Sequence, residues 1–225
     1  MLLKSSENLC ENWQEKVKGE VMKKHLVVTL GCEYGAGGPV IGKLLAAGLG
    51  LELYDRDFID SVIERTGVSR DTLDKANSAK QVKGRSLGFE AFLGPRYEDL
   101  TERIIYVQKE AIRKLADKSS CVIIGRCADY ILKDRQDCLN FFVYAPEHVR
   151  ARNLEEELSV SIEEAREMLE HQDRLLHARY KYMTGTYRGD RRNRHLLIDS
   201  SVLGWEGTAR FLEQFVREKF AELQT

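Results

Sequence analysis

Apolar residues arrive along this chain in five short blocks, at residues 26–30, 51–54, 121–124, 140–144 and 196–198. The blocks do not alternate apolar with polar as a half-exposed strand does. They predict strands covered on both faces, as in a parallel sheet packed between helices. Between them the period changes. Ile41, Leu44, Leu45 and Leu49 share one face of a predicted helix over 40–49, and Ile104, Ile105, Ala111, Ile112 and Leu115 share a face over 103–116. Pro146 suits a first helical turn. Ser161 and Glu164 have capping-box spacing before a long helix to about Tyr182. Leu212, Phe215, Val216 and Phe220 mark a last helix from about Glu206. Strands alternating with helices predict a doubly wound α/β fold.

Two segments break the rhythm. Residues 56–100 hold far more chain than one crossover needs, with Gly84, Gly88, Gly94 and Pro95 marking a looped portion. Residues 150–194 separate the fourth and fifth strands and are rich in arginine, with nine of the chain's 20. Such insertions are where an α/β phosphotransferase binds its acceptor and closes over it. Residues 1–24 carry Leu9, Trp13, Val17 and Val21 at every fourth position, the stripe of a short helix or a frayed tail.

At 225 residues and 43% apolar content, the chain suits one α/β domain with insertions. A net charge of −1 supplies no field for nucleic acid or a membrane surface. No run nears the roughly 18 apolar residues of a membrane span. Cys10, Cys32, Cys121, Cys127 and Cys138 form no C-x-x-C pair and read as reduced thiols. The expectation is a soluble, cytoplasmic protein without partner nucleic acid, membrane or structural metal.

The chemistry concentrates where strands end. The first block runs into Gly31-Cys-Glu-Tyr-Gly35-Ala36-Gly37-Gly38, then a helix. Glycines there let bare amides and a helix dipole converge on an anion. A Walker loop continues with lysine and a hydroxyl residue; here Gly38 takes the lysine position and Val40 the hydroxyl position. Lys43, about a turn and a half into the helix, reads as a surface lysine. Asp55 and Arg56 end the second strand: Asp55 could hold a metal-bound water or a substrate hydroxyl, or cap a helix, and Arg56 could hold a phosphate. Arg126 and Asp129 leave the third strand, a planar fork for a phosphate beside an acceptor for a base or for the fork itself. In the arginine-rich segment most guanidiniums should be solvated; Arg174 and Arg188 join Asp55 as the catalytic candidates, because arginines closing over a migrating phosphoryl group stabilise its charge.

The run GCEYGAGG, LYDRDFI, CVIIGRCADYIL, FFVYAPEHVRAR, TGTYRGD and LLIDSS resembles the cytidylate kinase-like family of P-loop proteins, from about His25 to the C-terminus. The resemblance implies a nucleoside monophosphate kinase-like domain over 25–225, with a five-stranded parallel sheet in the order 2-3-1-4-5. It implies ATP and Mg2+, and phosphoryl transfer to CMP or a similar nucleotide, with Arg126 and Asp129 on the acceptor. Loops of this family often read GREYGSGG; here Cys32 replaces the arginine and Ala36 the serine. A catalytically weak nucleotide-binding protein with a sensing role is the alternative.

Overall fold

The computed structural model describes residues 25–71, 73 and 95–221. The stripe of Leu9, Trp13, Val17 and Val21 and the glycines 84, 88 and 94 lie outside the described residues. Five parallel strands form one sheet: β1 (Val27–Cys32), β2 (Glu52–Tyr54), β3 (Cys121–Ile124), β4 (Cys138–Tyr144) and β5 (Leu196–Asp199). Their order is β2-β3-β1-β4-β5, as the family resemblance implied. Val27 stands in register with Cys121 of β3 and Cys138 of β4. All the predicted strand blocks are strands.

Alternation along β1 explains the two-sided core. Val28 and Leu30 point to a cluster with Ile41, Leu45, Phe141, Leu212 and Val216. Val27 points the other way, to Ile59, Ile63, Ile112 and Ile123. The first cluster is built on α1 (Gly38–Leu49) and α7 (Ser200–Ala221). The second is built on α2 (Arg56–Glu64) and α3 (Pro95–Lys118). Pro95 therefore opens a helix rather than extending a loop. On the second face Thr29 donates to Asn140 at 2.7 Å, so both buried polar groups have a partner.

Between β4 and β5 run α5 (Glu147–Leu158), α6 (Ile162–Thr184) and a 3₁₀ turn (Arg191–Asn193); a short α4 (Ala128–Ile131) follows β3. The Ser161 capping box is complete, side chain and amide of both members engaged, and Gly185 ends α6 in the left-handed region at φ 73°. The last helix is broken at Gly204, φ 67° and ψ 177°. Its continuous part therefore begins beside the expected Glu206, and Trp205 is free to turn inward. Cys32, Cys121, Cys127 and Cys138 are unpaired thiols, and burial pushes those of Cys121 and Cys138 up to about 12. Among the described residues no helix is long and apolar enough to cross a membrane.

Candidate active site

The loop from β1 to α1 is held by its carbonyls. Arg150 Nη1 donates to Tyr34 O at 3.0 Å, Asn153 Nδ2 to Gly35 O at 2.8 Å, and Ser200 Oγ to Ala36 O at 2.9 Å. The amides of Gly35, Gly37 and Gly38 donate to no acceptor among the described residues. Helix α1 also has no capping side chain and no acidic residue in its first turn. A helix start with free amides and no carboxylate is a seat for an anion, which would serve as the missing cap.

Two of the loop glycines are filled from outside. A Cβ on Gly37, at φ 81°, would come within 2.2 Å of Trp205 Nε1 and 2.5 Å of both adjoining ring carbons. The nitrogen corner of the indole thus lies flat over the Gly37 α-carbon. A Cβ on Gly38 would meet Cys32 Sγ at 2.2 Å. The Cys32 thiol, raised in pKa chiefly by burial, occupies the direction a side chain at the lysine position would take.

A cationic wall faces the loop. Arg188 donates to Cys32 O and stands 3.8 Å from the Asp173 carboxylate. Arg150 binds the other oxygen of Asp173 at 2.7 Å. Arg194 pairs with Asp129, and Tyr180 OH donates to the same carboxylate at 2.6 Å. Guanidiniums of Arg188 and Arg194 lie 5.9 Å and 5.3 Å from the Phe142 ring centre.

The turn after β3 is strained. Gly125, Arg126 and Cys127 are all left-handed, at φ 71°, 54° and 56°. Two consecutive non-glycine residues in that region cost roughly 1–2 kcal/mol each. The strain puts the Arg126 side chain inside, where it donates to the buried carboxylate of Asp60. Gln108 accepts from Arg179 and donates to Arg126 O at 2.8 Å. Burial first, then the neighbouring Arg179 cation, push the Arg126 pKa down to about 9. Among the described residues its Nε and the second oxygen of Asp60 have no hydrogen-bond partner. The unpaired Nε of this buried guanidinium favours an incoming anion.

Of the residues singled out in the sequence, Gly35, Ala36, Gly37 and Gly38 form the loop, and Arg188 and Arg126 face the same strand ends. Asp129 is there too, but its Oδ2 is taken by Arg194 and Tyr180. Asp55 caps α2, accepting from the Phe58 amide at 2.8 Å. Arg56 is exposed and lies 3.8 Å from Asp60. Arg174 is also exposed and pairs with Glu170 along the outer face of α6, apart from the others. Lys43 is on the surface. Asp60, Arg150, Arg179, Arg194, Ser200 and Trp205 complete the site without having been singled out for it. Helical phase was the available signal for one of them. Arg179 falls beside Tyr180 on the buried face of α6, whereas Arg174 falls on the face of Glu170.

The chain matches the model of the cytidylate kinase-like family over residues 27–202. No curated protein matches it. Among solved structures, an uncharacterized protein from Eubacterium ventriosum ATCC 27560 is 21% identical with a TM-score of 0.64, over 87% of this chain and 99% of that one. A shikimate kinase from Acinetobacter baumannii in complex with shikimate is 17% identical with a TM-score of 0.46, over 89% and 96% of the two chains. A gluconokinase from Sinorhizobium meliloti 1021 is 13% identical with a TM-score of 0.48, over 89% and 99%. At 21% identity and a TM-score of 0.64, the likeness to the first of these is one of fold. The family match takes in the glycine-rich loop, the strained turn at Arg126 and the arginines after α6, and the chain belongs to the cytidylate kinase-like family.

Proposed function

We propose that this chain transfers the terminal phosphoryl group of ATP to a nucleoside monophosphate, CMP or a close relative, in the cytoplasm. The observation that carries the reading is Arg188, seated on the Cys32 carbonyl at the root of the loop that lacks a lysine. Phosphoryl transfer leaves little covalent work to the protein; it needs the reactants in line and positive charge on the migrating group. In this reading the amides of Gly35, Gly37 and Gly38 hold the donor phosphates, and Arg188 supplies the cation. Arg126 and Arg179 receive the acceptor's dianionic phosphate. An acceptor phosphate oxygen attacks the γ-phosphorus as the bond to the ADP oxygen breaks. Arg174 and Asp55 take no part in it.

Mg2+ would come with the nucleotide. Among the described residues no three His, Cys, Asp or Glu side chains gather as a metal site. Glu33 and Asp173, near the loop, are already paired with Arg150. Such an ion is held mainly by phosphate oxygens and water, and it would offset charge on the β- and γ-phosphates.

One observation favours the alternative, nucleotide binding without efficient transfer in a sensing role. The Cys32 thiol fills the direction of a side chain at Gly38, so the donor phosphates lack the usual lysine. A coupled ADP-release assay across CMP, dCMP, UMP and AMP decides. Turnover with any of them, with KM raised in Arg126→Lys, supports the kinase. ATP binding without turnover supports the sensor. Absence of ATP binding sinks both.

A further inference from the structure

Asp129 and Arg188 belong to opposite sides of the site, one after β3 and the other after α6, yet a single side chain joins them. Arg194 donates from Nη1 to the Asp129 carboxylate and from Nη2 to the backbone carbonyl of Arg188 at 3.0 Å. The Arg194 side chain is 1% exposed and that of Asp129 6%, so neither bond competes with bulk water. Tyr180 packs its ring 5.5 Å from the Arg194 guanidinium and donates a hydrogen bond from its hydroxyl to Asp129. Among the described residues the Arg188 carbonyl takes no other hydrogen bond.

We infer that Arg194 is a positioning residue, whose fork ties the Arg188 backbone to Asp129 and so sets the Arg188 cation beside the phosphate loop. The inference rests on the reading of Arg188 as the donor-side cation. The chemistry requires an arginine at 194. Its two terminal nitrogens diverge in a fixed plane and reach two acceptors at once, whereas a lysine offers one ammonium on a flexible stem. Asp129 then has a role other than touching substrate. Its charge offsets a guanidinium that would otherwise be buried alone, and removing it would release the clamp. The acceptor-side turn that carries Arg126 and the donor-side cation are in this way parts of one rigid body. The cation is set in place before nucleotide arrives instead of being recruited by it.

The test uses the full chain and ATP as the probe. ATP affinity is measured by calorimetry for Arg194→Lys, Arg188→Met and the double variant, with circular dichroism and thermal melts to establish that each is folded. Arg188→Met and Arg194→Lys are each expected to weaken ATP by about tenfold, and the double variant no further, because both remove the same placed charge. A merely structural Arg194 would lower the melting temperature and leave the affinity of the folded protein unchanged. That result, with Arg188→Met still weakening ATP, overturns the clamp and leaves the proposed function standing. If Arg188→Met itself leaves ATP affinity unchanged, the cation assignment falls and the clamp with it. Should Arg194→Lys fail to fold, Asp129→Asn, of equal size and still an acceptor for Tyr180, must weaken ATP in its place; unchanged affinity there also overturns the clamp.

Discussion

The Arg188 guanidinium donates to the backbone carbonyl of Cys32, joining residues 156 positions apart in the chain at the point where β1 gives way to the glycine loop. The contact brings a cation to a loop whose own sequence supplies none. Arg188→Ala should therefore lower kcat at least about tenfold, the loss of a transition-state contact of about 1.4 kcal/mol. Arg174→Ala, on the solvent face beside Glu170, should stay within about twofold of the parent, as exposed ion pairs contribute little. Steady-state kinetics on the two variants side by side checks both; equal losses would remove the distinction between inner and outer arginines.

Gly37 and Gly50 share a left-handed backbone, φ 81° and 66°, but not surroundings: a Cβ on Gly37 meets the Trp205 indole, and one on Gly50 meets nothing within 4 Å. Gly50→Ala should cost about 1 kcal/mol of stability from backbone strain alone and leave ATP affinity intact. Gly37→Ala should add displacement of the indole and weaken ATP by about tenfold or more. Chemical denaturation and calorimetry separate the two effects. Equal ATP affinity in the two variants would show that the loop does not hold the nucleotide.

Much of this was legible in the sequence, for local reasons. All-apolar strand blocks, a capping box and a glycine turn are short-range signals, and each produced the element it implied. The candidate site was legible where it sits on such signals, at Gly35, Ala36, Gly37, Gly38, Arg126 and Asp129, and at Arg188 in the glycine-flanked turn after α6. The capping of α2 by Asp55 could be read either way, because a helix start and a strand end call for the same residue at the same place. The arginines were harder. Arg150, Arg179 and Arg194 differ from Arg174 in what folds over them, and composition does not carry that information. Asp60 looked like any helix acid until the strained turn at Arg126 turned a guanidinium onto it.

His195 supplies a pH dependence. Its Nδ1 accepts from the Asn140 amide at 2.9 Å and its own amide donates to Asn140 O at 2.8 Å, extending β4 toward β5 before the strands pair. Only the neutral ring accepts in this way. Burial, with a smaller contribution from Lys219, lowers its pKa below the ordinary 6.5. The unfolded chain therefore takes up the proton first. The contribution is complete above pH 6.5 and is lost as pH falls through the depressed folded value. Melting temperatures from pH 8 to pH 5 should fall less steeply below about pH 6.5 for His195→Gln, whose amide oxygen still accepts. Parallel curves would assign the acid sensitivity elsewhere.

Ser200 tests the loop from a distance. It is 2% exposed and donates to Ala36 O; Ser200→Ala should destabilise by about 1 kcal/mol. Differential scanning calorimetry gives that figure, and the same sample's ATP affinity should fall as well. An unchanged affinity would mean that this tether is not needed to keep the loop amides in place.

Three successive carbonyls of the loop are gripped by side chains from α5 and the start of α7. In entropic terms, the ordering of this loop was completed when the chain folded. A phosphate arriving there need not fix a wandering segment, and little of its binding enthalpy is cancelled by lost backbone freedom. Under the proposed function, phosphate affinity therefore depends on positions such as Arg150, Asn153 and Ser200, which need never touch the nucleotide.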